Sequence, residues 1–117
     1  QYGDPQKENW FELNTNRRLK IVGELAAEKG KPFALAETGY EAVPFAEWWT
    51  KTLLNAIGDN KICYVMVWRN HGYQNETQKM HYYAPYKGQV SEADFRKFAA
   101  LERVLFEKEV FNEKLYQ

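Results

Sequence analysis

The stretch KPFALAETGYE, residues 31 to 41, runs an apolar segment straight into a glutamate, Glu37, and breaks at once into Thr38-Gly39. A carboxylate at the end of a buried segment is costly to desolvate. Glu37 therefore either caps the turn that follows or is placed there for chemistry. The chemistry that suits it is glycoside hydrolysis, which needs a pair of carboxyl groups, about 5 Å apart in retaining enzymes. One glutamate does not decide between the two readings. A second candidate closes another apolar run: in ICYVMVWRN, Trp68 is followed by Arg69 and Asn70. An indole can floor a sugar ring beside two hydrogen-bonding side chains, or it can simply end a strand in the core. His71 and His81 lack a metal-ligand spacing such as His-x-x-x-His, so loop hydrogen bonds are their expected role and no metal site is expected. HYYAPY, residues 81 to 86, either paves a binding rim or packs its own loop down. Glu41 and Glu47 read as solvated.

The elements that must position these residues follow from periodicity. Residues 1 to 9 are polar and turn-rich, a loop. From Trp10 to Lys29, the residues Leu19, Val22, Leu25 and Ala26 recur at three- and four-residue steps, which predicts an amphipathic helix stopped by Gly30 and Pro32. FALAE, bounded by Pro and Gly, predicts a short strand buried on both faces. Pro44 opens a second helix through about Ile57, with Trp48, Leu53 and Leu54 near one face, and Gly58-Asp59-Asn60 breaks it. ICYVMVW, 62 to 68, is apolar without alternation, the pattern of a parallel strand covered on both sides. A polar and aromatic loop is expected over about 69 to 90. Ser91 then caps a third helix, EADFRKFAALERVLF, with Asp94 in a loose capping-box position.

This order predicts an α/β fold with parallel strands. Two strands do not make a sheet buried on both faces, so the chain reads as part of a larger parallel structure. In such folds ligands gather at the carboxyl ends of strands. Glu37 ends the first strand and Arg69-Asn70 follow the second, so the two ends should share one rim.

Composition narrows the function. The chain has 117 residues, one small domain's worth, and sixteen basic residues against sixteen acidic. Zero net charge argues against a nucleic-acid partner or an anionic membrane surface. No apolar run is long enough to span a bilayer. A single cysteine, Cys63, excludes an internal disulfide and is expected to be a buried small hydrophobe. Four Trp, eight Tyr and seven Phe make 16% of the chain aromatic, more Tyr and Trp than a core requires. Such rings suit surfaces that stack on sugars or partner proteins.

Taken in order, KPFALAETG, the WWT helix, YVMVWRN and HYYAPYKGQVSEADFRKF resemble the C-terminal part of glycoside hydrolase family 26, mainly β-mannanases built on (β/α)8 barrels. The resemblance runs from about Gly30 to Phe106. It implies the C-terminal portion of a TIM barrel, about the last two strands and three helices, with residues 1 to 117 a fragment of one catalytic domain. It implies Glu37 as the nucleophile at the end of the seventh strand, Trp68 as the eighth-strand tryptophan under the sugar being cleaved, and Arg69 reaching the next sugar on the non-reducing side. Asn70 completes the motif as a weaker substrate ligand. Some members carry an aromatic residue five places after the nucleophile, where this chain has Ala42. The acid/base glutamate would lie in the remaining N-terminal part of the barrel. So would the tyrosine that usually supports the nucleophile.

The implied function is endo-acting, retaining cleavage of β-1,4-mannan without metal or cofactor, the fragment alone being inactive. The implied location is secreted, periplasmic or at the cell surface. Two alternatives stay open: a same-family β-glucanase (lichenase) or β-1,3-xylanase, and a noncatalytic carbohydrate-binding module.

Overall fold

The computed structural model describes residues 9–113; most of the expected N-terminal loop lies outside them. Helix α1 spans Trp10–Lys29, and Gly30 ends it in the left-handed conformation, its amide bonded to Ala26 and Ala27 carbonyls. Only Gly takes that conformation without a Cβ penalty, which is why the helix stops there. Phe11, Leu19 and Ala26 form the buried face of α1, whereas Val22 and Leu25 are 44% and 54% exposed. The predicted apolar stripe is therefore split. One part is in the core, and the other faces away from it beside the exposed Ile21.

Strand β1 is Leu35–Thr38 and strand β2 is Val65–Val67. They pair in parallel, as expected, with Leu35 opposite Val65 and Thr38 opposite Val67. The expectation that both strands are buried on both faces is corrected. Val65 and Val67 pack on the core, but Tyr64, Met66 and Trp68 on the other face are 57%, 43% and 41% exposed. Helices cover one face of this two-stranded sheet, and nothing among the described residues covers the other. Cys63, expected to be buried, is exposed.

Between the strands, Ala42 and Val43 both take positive φ, 61° and 38°. That turn delays the helix predicted from Pro44: regular structure begins at Trp48, as a π-helix over Trp48–Leu53 that passes into α2, Leu54–Ile57. Gly58, at φ 55°, breaks it where predicted. The wide π turn buries two consecutive indoles, 1% and 2% exposed. Trp48 faces Phe11 of α1. Trp49 meets Phe95 and Phe98 of helix α3, Glu92–Ala99. With Val43 and Leu53, these rings form the core. Burial of this aromatic surface, at roughly 25 cal/mol per Å², is the main force holding α1, the π-helix and α3 together.

The region expected to be a plain loop contains an antiparallel hairpin, β3 Gly72–Gln74 and β4 Lys79–His81. The predicted helix through Phe106 is shorter than its sequence suggests. It ends at Ala99, tight turns place Leu101 and Val104 on the core, and a separate helix α4 covers Glu107–Asn112. Tertiary packing of those two side chains overrides a strong helical propensity.

Ser91 does precede α3, but its side chain does not cap it. Its Oγ donates to Gln89 Oε1 and accepts from Trp49 Nε1. Asp94 departs from its expected place in a capping box. Its carboxylate accepts from the Trp49 and Thr50 amides at 3.0 Å each, and from Thr50 Oγ1. It thus caps the π-helix across 45 residues of sequence rather than its own helix.

Candidate functional site

The carboxyl ends of β1 and β2 lie side by side: the Trp68 amide donates to the Thr38 carbonyl at 2.9 Å. Glu37 and Trp68 are therefore brought to one rim, as their positions at two parallel strand ends predict. Glu37 is exposed, as are Trp68, Arg69 and Asn70.

The register contains a feature that periodicity did not reveal. Three steps along β1, from Leu35 to Thr38, match two along β2, so one extra residue is accommodated around Ala36-Glu37. A bulge of this kind re-aims a side chain and is common beside active sites. Its effect is visible in the burial sequence, where Ala36 and Glu37 are both exposed in succession and Thr38 is 1% exposed. Simple alternation would have sent neighbouring side chains to opposite faces. The hydroxyl of Thr38 is enclosed without a hydrogen-bond partner among the described residues.

The segment after Glu37 is held from outside. Gly39 has φ 141°, and a methyl group placed there would come within 2.8 Å of Tyr83 Cδ1. Both the backbone angle and the aromatic ring require glycine at this point. Further on, the Ala42 amide donates to the Tyr82 carbonyl at 2.8 Å, and Gln89 Nε2 donates to the carbonyls of Ala42 and Val43 at 3.0 and 2.9 Å. Glu41 pairs with His81 Nδ1, while His81 Nε2 meets Thr77 Oγ1 at 2.9 Å. Both ring nitrogens of His81 thus serve the loop, as its sequence context suggests.

Asn70 is occupied locally. Its Oδ1 accepts from the amides of Tyr83 and Ala84 at 2.8 and 3.0 Å, and its Nδ2 donates to the Ala84 carbonyl at 3.3 Å. The HYYAPY tyrosines divide between the two expected roles. Tyr82 packs edge-on against Tyr86, and burial followed by the hydrogen bond to Tyr86 pushes its phenol above the ordinary value. Tyr83 is raised by burial first, then by the negative charges of Glu41 and Glu37. Both phenols remain neutral near pH 7. Tyr86 and Tyr73 of β3 are 57% and 58% exposed.

The bulge and the Asn70 clamp are the parts that motif reading missed. The first depends on register with β2, which the sequence does not display. A side-chain amide three residues past the end of β2 was a signal for the second.

No helix among the described residues is long and apolar enough to cross a membrane. No family model and no curated protein matches the chain. Among solved structures it is similar to a GH26 β-mannanase from Bacteroides ovatus, BoMan26A, with a TM-score of 0.76 and 42% sequence identity. The match takes in 86% of this chain and 28% of that one, so the chain spans well under a third of the enzyme it resembles. Identity at this level over most of the chain, on a shared backbone, makes the chain similar to one part of a glycoside hydrolase family 26 enzyme.

Proposed function

We propose that this chain supplies the seventh and eighth strands of a (β/α)8 barrel to an endo-acting, retaining glycoside hydrolase that cleaves β-1,4-mannan. The observation that carries this reading is the likeness to a β-mannanase over 86% of the chain, with Glu37 and Trp68 at adjoining carboxyl ends of parallel strands. Active sites of such barrels sit at that face. The uncovered side of β2, with Tyr64, Met66 and Trp68, is then the face that looks into the barrel, to be filled by strands from the rest of the protein.

In this reading Glu37 attacks the anomeric carbon as a carboxylate. A second carboxyl group, from the N-terminal part of the barrel, protonates the departing glycosidic oxygen and then activates water to release the glycosyl-enzyme. Trp68 stacks beneath the sugar undergoing cleavage, and Arg69 donates to the neighbouring sugar. A polymer substrate places the enzyme outside the cytoplasm, where mannan is met.

The test is covalent trapping in the full-length enzyme. An activated 2-deoxy-2-fluoro mannoside should leave its adduct on the peptide containing Glu37. An adduct on another carboxylate, or a product of inverted configuration, would overturn the assignment. Hydrolysis of mannan, lichenan and β-1,3-xylan in parallel fixes the substrate, mannan being expected to be cut fastest. Binding without hydrolysis by the full-length protein would make it a carbohydrate-binding module instead.

A further inference from the structure

A bulge turns Glu37 toward the rim, but the residue two places on is a glycine with no side chain to hold the turn in place. What packs on that turn therefore bears on the orientation of the Glu37 carboxylate. The ring of Tyr83 does so, lying over Gly39 closely enough that even a methyl group would collide with it. Tyr83 is fixed in turn by Asn70, whose amide oxygen takes both the Tyr83 and the Ala84 backbone N–H groups. Asn70 lies three residues past Val67, the last residue of β2. The chain therefore closes a circuit from the end of β2, through Asn70 to Tyr83, and from Tyr83 to the turn after β1. The Ala42–Tyr82 backbone bond and the Glu41–His81 pair brace the same loop along the rest of the segment following Glu37. The phenol of Tyr83 lies in the field of both Glu37 and Glu41.

We propose that Tyr83, clamped by Asn70, is a positioning residue for Glu37, and that Asn70 serves the reaction through this clamp rather than as a substrate ligand. The inference rests on the reading of Glu37 as nucleophile. It predicts a defect in the bond-forming step and not in binding. Misplacing a reacting group by about 1 Å can cost on the order of a hundredfold in rate.

The experiment measures two quantities in the full-length enzyme. One is the rate constant for labelling by the activated 2-deoxy-2-fluoro mannoside, in which the Glu37 carboxylate oxygen bonds to the anomeric carbon as the leaving group departs. The other is the dissociation constant for mannohexaose. Labelling of the wild type at a residue other than Glu37 refutes the nucleophile assignment itself. With wild-type labelling at Glu37 established, Tyr83→Ala should label roughly tenfold to a hundredfold more slowly, with mannohexaose binding changed less than about twofold. Tyr83→Phe, which keeps the ring on Gly39, should recover most of that rate. Labelling of folded Tyr83→Ala at the wild-type rate would overturn the inference. So would unchanged labelling with weakened binding, which would make Tyr83 a sugar ligand. If Tyr83→Ala does not fold, Asn70→Ala carries the same test. It should slow labelling by about threefold to tenfold with mannohexaose affinity kept, and lost affinity at an unchanged rate would overturn the clamp.

Discussion

Two polar clusters in this chain are built on opposite terms. The first joins Gln89, Ser91, Trp49, Thr50 and Asp94 in the interior between the π-helix and α3. Ser91 is 0% and Asp94 6% exposed, and each uses its side-chain oxygens on donors or acceptors of the chain itself. The second is the rim of Glu37, Trp68 and Arg69, where the side chains face solvent and the backbone bonds beneath them fix their place. The polar side chains of this first cluster are all hydrogen-bonded, since an unmet buried group costs about 1–3 kcal/mol. At the rim the same expense is avoided by exposure, which keeps chemistry available. The difference suggests that changes in the first cluster will be read as stability and changes in the second as turnover.

The sharpest division comes from Glu37. On the proposed reading, Glu37→Gln keeps the shape of the rim and removes the nucleophile, and turnover of mannan by the full-length protein should then fall by about a thousandfold or more, roughly 4 kcal/mol of barrier. The melting temperature should stay within a few degrees of wild type. A turn-capping carboxylate would show the reverse, about 1 kcal/mol lost in stability and little in activity.

Asp94 tests the other side. Asp94→Ala leaves the Trp49 and Thr50 amides and the Thr50 hydroxyl without their acceptor, at an expected cost of about 3 kcal/mol. Denaturant unfolding measures it, and kcat of the protein that remains folded should be nearly unchanged. A mutant of full stability and low activity would erase the distinction between the clusters.

Trp68→Ala should lower kcat/KM by about a hundredfold, near 3 kcal/mol, if the indole floors the sugar. Where the rest of the barrel covers the face that carries Trp68, truncating the indole also costs stability, by about 3–5 kcal/mol for a fully buried tryptophan. Kinetics and thermal unfolding on the same sample separate the two effects.

The smallest effect concerns acid. Glu92 accepts from the Gly88 amide at 2.6 Å and pairs with Arg96, and these contacts, the amide first, hold its carboxyl below the usual range. A lowered folded-state value stabilises above the unfolded value and is lost as pH falls through the folded one. Glu92→Gln should therefore flatten a shallow acid-side slope in stability, and added salt should mask the difference. A slope unchanged by the substitution would remove Glu92 from the account.

How much of this was legible in the sequence varies with the range of the interaction. The bounds of α1 and the stop at Gly30 follow from local chemistry, and both appear in the structure. Parallel pairing of FALAE with ICYVMVW followed from apolar runs separated by a helix, and it too is present. The burial of those strands was misjudged because an unbroken apolar run records what the whole fold will cover, and the described residues cover only one side. Asp94 was assigned to the helix on which it lies because a capping box is a local pattern, whereas its partners are 44 and 45 residues away. At the rim, Glu37 and Trp68 stood out by residue type and by position at strand ends. The bulge beneath Glu37 and the Tyr83 contact with Gly39 did not, since both depend on register between distant segments.

The π-helix of Trp48–Leu53 has a consequence for how this segment tolerates changes in length. A π turn is an α-helix holding one residue too many. Removing a residue between Trp49 and Leu54 lets the turn relax to ordinary α geometry and keeps α2 continuous with it. Removing one from α1, which has no such slack, rotates everything beyond the gap by about 100° and carries its buried side chains out of the core. In natural relatives, single-residue gaps should therefore gather at the π turn and be purged from α1.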